Sequence, residues 1–284
     1  MAFYCVHGND AAVQIAITIS GSVENFAELM NKKAKDIGLN NTHFITPHGL
    51  DNEEHYTTAY ELALLTDYAL NNKKFAEIVN TKYYTIHINN QEKNLKNTNE
   101  LLGVLDGVNG VKTGFTNKAG RCLVTSTSRN NCQTICVVLG ADTKKIRTND
   151  SIKLIEYVYR DFELIDVGKI IEEKYNLWKR EEEPQIYINK GEKEKIQTYI
   201  EKIPYEKYPI LKSNKKNIDC SIESFKFLEA PIYQNTEVGI IKLKVDGKEI
   251  CNIDIRCGKT IEKKSIGDYF RILFCGLGTY LTNF

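Results

Sequence analysis

Apolar positions in the first half of the chain recur at helical spacing. Ala11, Ala12, Ile15, Ala16 and Ile19 lie three or four residues apart. Residues 2–19 are therefore expected to be helical, with a polar break at His7-Gly8-Asn9-Asp10 that supplies a turn and an N-cap. Phe26, Leu29, Met30, Ala34 and Ile37 predict a second helix, opened by Ser22 and closed by Gly38. Thr42 to Asp51 contains Pro47 and Gly49 and is expected to be a loop. Thr57-Thr58 caps a third helix through Leu62, Leu65, Tyr68 and Ala69, and Phe75 to Val79 forms a short fourth. The period then changes. Tyr83 to Ile88 alternates like a strand. Val111-Lys112-Thr113-Gly114, Cys122-Leu123-Val124 and Thr134 to Leu139 are separated by turns, which predicts a β-meander. Ser151 to Arg160 returns to helical spacing through Ile152, Ile155, Tyr157 and Val158. The first half is thus an α+β layout, helices on an antiparallel sheet.

After Arg160 helical periodicity fades. Runs such as Gln185 to Ile188, Ile240 to Val245 and Ile250 to Ile255 alternate with charged turns, and Asp246-Gly247 is a hairpin signal. A small all-β domain, a β-sandwich, is expected there. From Ile266 to Phe284, large apolar residues recur at steps of three and four behind Lys259, Lys263 and Lys264. That pattern predicts an amphipathic helix lying on a membrane surface. The alternative is a terminal helix packed on the protein's own core, and Gly267, Gly276 and Gly278 weaken either helix. The expected boundaries are 1–163, 164–258 and 259–284.

Composition narrows the function. The chain has 284 residues, 42% hydrophobic and 26% charged, with a net charge of +1. A near-neutral chain offers no electrostatic case for nucleic acid. The eight cysteines lack metal-ligand spacing, so no metal or other cofactor is expected. Met1-Ala2-Phe3-Tyr4-Cys5 has no charged start and no long apolar run behind it, so no signal peptide is expected. No run is long enough for a transmembrane helix.

The candidate chemistry sits on the first strand of the meander. A Lys112-Thr113-Gly114 strand can supply an ammonium, a hydroxyl for a carboxylate, and a backbone on which a peptide can pair. Alone, the tripeptide is better read as a solvated lysine at a hairpin. Its surroundings resemble the serine-type D-alanyl-D-alanine carboxypeptidases, the low-molecular-mass penicillin-binding proteins. Gly8-Asn9-Asp10-Ala11-Ala12 resembles the end of that family's Ser-Gly-Asn motif, and Asn40 to Phe44 with Pro47-His48-Gly49-Leu50-Asp51 resembles the loop bordering its active site. Asn97-Thr98-Asn99-Glu100 and Asp106 to Thr116 resemble the approach to its third motif.

The resemblance implies removal of the terminal D-alanine from peptidoglycan stem peptides through a serine acyl-enzyme, with β-lactams as pseudo-substrates. It implies a place on the extracytoplasmic face of the bacterial cell membrane and a role in cell-wall biogenesis. It makes His7, Asn9 and Lys112 catalytic candidates, with Lys112, Thr113, Gly114 and Arg147 binding the substrate. His48 and Asp51 are expected to shape the loop. Two departures stand out. His7 occupies the place of the family's Ser. The Ser-x-x-Lys motif, which in the family precedes Ser-Gly-Asn, has no counterpart there. The only match is Ser213-Asn214-Lys215-Lys216, in a charged part of the β-domain, and it is rejected as nucleophile. Met1 is read as the start of a truncated frame, and the chain as given is expected to form no acyl-enzyme. Two other readings are a class A β-lactamase-like hydrolase and a non-enzymatic remnant binding peptidoglycan or membrane.

Overall fold

The computed structural model describes residues 8–88 and 91–272. The chain divides into two compact units, Met1–Arg160 and Asp161–Phe284.

The first unit opens with α1 (Asn9–Ser20) and α2 (Val23–Asp36). Gly21 ends α1 with φ +82°, and its N–H bonds the Ile17 carbonyl. The Ser22 hydroxyl accepts from the Asn25 N–H and caps α2; Ile37 is the C-cap and Gly38 follows it with φ +82°. Thr58 caps α3 (Ala59–Leu70) by accepting from the Glu61 N–H, and Asn72 caps α4 (Lys73–Val79). β1 (Tyr83–Ile88) pairs antiparallel with β2 (Gln91–Lys96), a strand the apolar pattern does not announce. The meander follows as β3 (Val108–Thr116), β4 (Gly120–Arg129) and β5 (Cys132–Ala141), in the spatial order β3-β4-β5. Lys112 lies opposite Val124 and Gly114 opposite Cys122. The helix after the meander is longer than its apolar pattern implies: α5 runs Lys144–Asp161.

Leu101, Leu102, Val108, Leu123, Cys136 and Ile155 form a core that joins α5 to the sheet. α3 packs against β5, and α4 against β3. The turn into β3 requires a glycine. Gly107 has φ +74°, and a Cβ there would stand 2.5 Å from the Ser128 carbonyl oxygen.

The second unit is mostly β but carries a helix that an all-β expectation omits. β6 (Phe162–Asp166) leads into α6 (Val167–Glu181), whose Val167, Ile171, Tyr175 and Trp178 are buried at helical spacing. The Trp178 indole N–H donates to Ser224 Oγ at 3.2 Å. β7 (Tyr187–Asn189), β8 (Thr198–Ile200) and β9 (Lys207–Leu211) follow, then β10 (Ile218–Ser224), β11 (Phe227–Glu229), β12 (Glu237–Val245) and β13 (Lys248–Cys257). The main sheet has the order β10-β12-β13-β8; β6 pairs with β9, and β7 runs parallel to β11. Asp246 and Gly247, with φ 54° and 73°, make the tight hairpin joining β12 to β13.

Residues 266–272 are helical, with Ile266, Tyr269, Phe270 and Ile272 exposed. The remainder of the expected terminal helix lies outside the described residues. Among the described residues no helix is long and apolar enough to cross a membrane.

Candidate active site

The site is built around β3. Val111 and Thr113 are buried, and Lys112 and Gly114 are half-buried. Three neutral side chains from 97–99 hold this strand. The Asn99 amide donates to the Gly110 carbonyl at 2.8 Å, and its carbonyl oxygen accepts from the Leu101 N–H at 3.1 Å. Asn97 accepts from the Asn99 N–H at 3.0 Å and donates to the Thr81 carbonyl at 3.1 Å. The Thr98 and Thr113 hydroxyls lie 2.7 Å apart. Asn97 and Asn99 are both buried, so each of these bonds is worth more than it would be in water.

β3, the loop after α2 and the start of α5 enclose a cleft of about 600 Å³. Asn9, His48, Lys112, Thr113, Gly114 and Arg147 all line it. The structure therefore brings together every candidate that falls within the described residues. His7 lies outside them. Ser213 lies in the second unit, on an exposed turn, with its hydroxyl bonded to Asn214 Oδ1 at 3.0 Å.

The cleft is electropositive. Lys112, Arg121, Lys144 and Arg147 line it, and among the described residues no acidic side chain does. Arg147 is 3% exposed; its one acidic contact is Glu100, at 3.5 Å, and its Nε–H has no partner among the described residues. Burial holds the Arg147 guanidinium below its usual range, although Glu100 opposes this. Burial also lowers Lys112, from 10.5 to about 8. Its ammonium donates to the Thr113 carbonyl at 2.7 Å. A buried guanidinium with an N–H left unpaired by the described residues, in a cleft that they line with cations and no acid, suits a carboxylate.

The bordering loop is fixed by one carboxylate. Glu61 is 5% exposed and accepts from the Asn41 N–H at 2.8 Å and the Thr42 hydroxyl at 2.5 Å. Burial raises its pKa, but these bonds outweigh burial and keep the carboxyl below its ordinary range. Asn31 on α2 exchanges two 2.8 Å bonds with the Phe44 backbone. His55 Nδ1 accepts from the Ile45 N–H at 3.2 Å, and His48 Nδ1 from the Leu50 N–H at 3.3 Å. Burial, then His43 and His48, lower the His55 pKa, which favours the neutral ring that this bond needs. Asp51 accepts from the Lys118 N–H at 3.3 Å and ties the loop to the β3–β4 turn.

Several of these residues carry no chemical signal of their own in the sequence. Arg121 stacks on Phe115, 3.6 Å from its ring centroid, and nothing in the strand pattern marks it. Lys144 and Glu61 are equally silent. Thr98 lies inside the Asn97-Thr98-Asn99 run, and only resemblance could have found it.

The D-alanyl-D-alanine carboxypeptidase family profile matches residues 2–143, half of the chain. The chain belongs to this family. The profile of the penicillin-binding protein 5 C-terminal domain matches residues 159–263. D-alanyl-D-alanine carboxypeptidase DacF of Bacillus subtilis is 33% identical over 261 residues, covering 90% of this chain and 64% of that protein. The chain therefore spans less than two thirds of that relative. Among solved structures, penicillin-binding protein 5 from Haemophilus influenzae superposes with a TM-score of 0.69 at 28% identity, covering 92% of this chain and 73% of that one. Penicillin-binding protein D2 from Listeria monocytogenes, in its ampicillin-bound form, is 31% identical with a TM-score of 0.50, covering 55% of this chain and 63% of that one. The family match and these neighbours favour the carboxypeptidase reading over a class A β-lactamase. The two-unit fold, a transpeptidase-like α+β part followed by a β-rich part, is that of penicillin-binding protein 5.

Proposed function

We propose that this chain supplies the substrate-binding wall of a D-alanyl-D-alanine carboxypeptidase that trims peptidoglycan stem peptides on the extracytoplasmic side of the bacterial membrane. The observation that carries this reading is the buried Arg147, its Nε–H unpaired among the described residues, which lines a cleft with Lys112 and Thr113 and with no acid among those residues. In this reading Arg147 takes the terminal carboxylate in a charge-assisted hydrogen bond, and Thr113 orients it. The peptide backbone pairs along β3, where Gly114 leaves room: a Cβ there would meet nothing nearer than Cys122 Cβ at 3.7 Å. Asn9 orients the scissile amide. Lys112 keeps positive charge beside the reacting carbonyl, and His7 occupies the family's proton-relay position. The family reaction is attack by a serine hydroxyl on the penultimate D-alanine carbonyl, expelling the terminal D-alanine and leaving an ester that water then hydrolyses. Ser213, on an exposed turn of the second unit, is not proposed as the attacking serine.

The test is titration with an N-acetylated tripeptide ending in D-Ala-D-Ala, and with the same peptide as its C-terminal amide. The acid is expected to bind and the amide to bind at least about tenfold more weakly. Arg147→Met should erase most of that difference. Equal binding of acid and amide refutes the reading. Incubation with a labelled penicillin, followed by intact mass, is expected to show no adduct that Ser213→Ala abolishes. An adduct abolished by Ser213→Ala would overturn the rejection of that serine.

A further inference from the structure

In the second unit two large aromatic rings stand in water on a rigid ribbon. β7 and β11 run parallel, with Tyr187 opposite Phe227, Ile188 opposite Leu228, and Asn189 opposite Glu229. Ile188 and Leu228 face the core, so the residues on either side of them face outward. Tyr187 is 60% exposed and Phe227 55%, and their rings stack with centroids 5.6 Å apart at 30°. The ribbon is pinned at both ends: the Tyr187 N–H donates to the Lys226 carbonyl, and the Ala230 N–H to the Asn189 carbonyl, each at 3.0 Å. Asn189 and Glu229 lie one pleat further along the same face, and Lys190 clasps Glu229 at 3.0 Å. Exposed aromatic pairs on an ordered strand pair are a surface feature that marks binding.

We infer that the Tyr187–Phe227 face, with Asn189, Lys190 and Glu229 at its end, is a binding site for a glycan strand of β-linked N-acetylated sugars. A pyranose ring presents a flat C–H face and a rim of hydroxyl and amide groups. The two stacked rings match the face. The Asn189 amide, the Lys190 ammonium and the Glu229 carboxylate offer donors and acceptors to the rim. The Lys190–Glu229 pair is charge-compensated, which suits a neutral sugar. Glu181 and Glu183 are taken up by Arg180 and Thr198, and Lys226 adjoins the ribbon, so an anionic lipid surface is the competing occupant that the vesicles test. The inference rests on the peptidoglycan reading and deepens it: the polymer is held by its sugar strand as well as by its stem peptide.

The probe is the β-1,4-linked tetramer of N-acetylglucosamine, titrated calorimetrically into the full chain. The wild type is expected to bind it. Tyr187→Ala with Phe227→Ala should weaken binding by at least about tenfold, and either alone by about fivefold. Tyr187→Phe should keep most of the affinity. Tyr233→Ala, also 63% exposed but off this ribbon, should change nothing. Fluorescence of Trp178, the single tryptophan, which is 1% exposed in the same unit, reports whether each variant is folded. If the double variant misfolds, Phe227→Ser alone carries the test. The inference is overturned if the wild type does not bind the tetramer. It is also overturned if the ring variants bind within about twofold of wild type, or if they lose flotation with phosphatidylglycerol vesicles while sugar binding is unchanged. The tetramer has no peptide and the D-Ala-D-Ala tripeptide has no sugar, so each reading fails on its own titration.

Discussion

Replacing Lys112 by Met removes a charge that the fold holds at a cost, and the cost depends on pH in a way that can be worked out. Burial lowers the Lys112 pKa from 10.5 to about 8. Between those values the unfolded chain binds more protons at this position than the folded one, so folding stability rises with pH across that window. Below pH 8 the penalty is complete. Treating the two pKa values as the folded and unfolded ones gives about 3 kcal/mol at pH 7 and about 1.4 kcal/mol at pH 9.5. Lys112→Met has no such group. Every other titration is common to both proteins, and the Lys112–Thr113 carbonyl bond is lost from the variant at both pH values. The change in the difference between the two proteins is therefore the clean quantity. From pH 7 to pH 9.5 the wild type should gain about 2 kcal/mol on the variant, which for a unit of this size is about 5 °C in its melting temperature. Because Trp178 lies in the second unit, melting of the first is best followed by far-ultraviolet circular dichroism or amide exchange on β3 and β4. A difference that stays constant with pH, or that grows in the variant's favour, refutes the assignment of a buried charged lysine.

Asn99→Ala removes two bonds from a buried side chain and leaves the Gly110 carbonyl and the Leu101 N–H unpaired. It should cost about 2–3 kcal/mol in chemical denaturation, whereas the exposed Lys96→Ala should cost almost nothing. Acidification through the carboxylate range should loosen the loop at 40–58, because the lowered Glu61 pKa contributes stability that is present above its unfolded value and lost as pH falls through the folded one. Amide exchange at Asn41 and Thr42 reads this directly, and Glu61→Gln should exchange fast at all pH values; exchange that does not vary with pH in the wild type would contradict it. Trp178→Ala opens a cavity under the second unit's sheet and should destabilise that unit by about 3–5 kcal/mol, leaving D-Ala-D-Ala affinity within about twofold.

Elements whose chemistry is local were legible in the sequence. Ser22 and Thr58 cap the helices they were expected to cap, because a side-chain oxygen two or three residues ahead of an orphan N–H requires no tertiary context. The meander was legible because its apolar runs are broken by turns, the first ending in Gly120 and the second made by Asn130-Asn131 with φ 52° and 59°. β2 was not, because four of its first five residues are polar and only Leu95 is buried. An exposed hairpin strand takes its partner from backbone hydrogen bonds, which leave little mark on composition. α6 was obscured for a different reason. Its buried stripe, Val167, Ile171, Tyr175 and Trp178, is one residue wide, and Glu172, Glu173, Lys174, Lys179 and Arg180 surround it. Such a stripe has the right period but low mean hydropathy, and the strand-rich segment around it hides the change of period.

The candidate site divides along the same line. Lys112 and Thr113 belong to one strand, so spacing and resemblance sufficed to pair them. Arg147 meets them only because α5 crosses back over the meander, and Thr98 meets Thr113 only because the 97–99 turn lies against β3. What the structure adds is the electrostatic balance. A wall of four cations costs free energy unless something neutralises it. Here the side chains that support β3 are amides and hydroxyls, and among the described residues Glu100 is the one acid paired with Arg147, at 3.5 Å. Acids in place of Asn97 and Asn99 would relieve the wall's charge and remove its use. Neutral supports keep the strand in place and leave the positive charge to a ligand. A carboxylate placed beside Arg147 would satisfy the Nε–H that the described residues leave unpaired and would favour the charged form of Lys112 against the burial that lowers it. Under the proposed function, a carboxylate terminus bound there would therefore also stabilise this part of the fold.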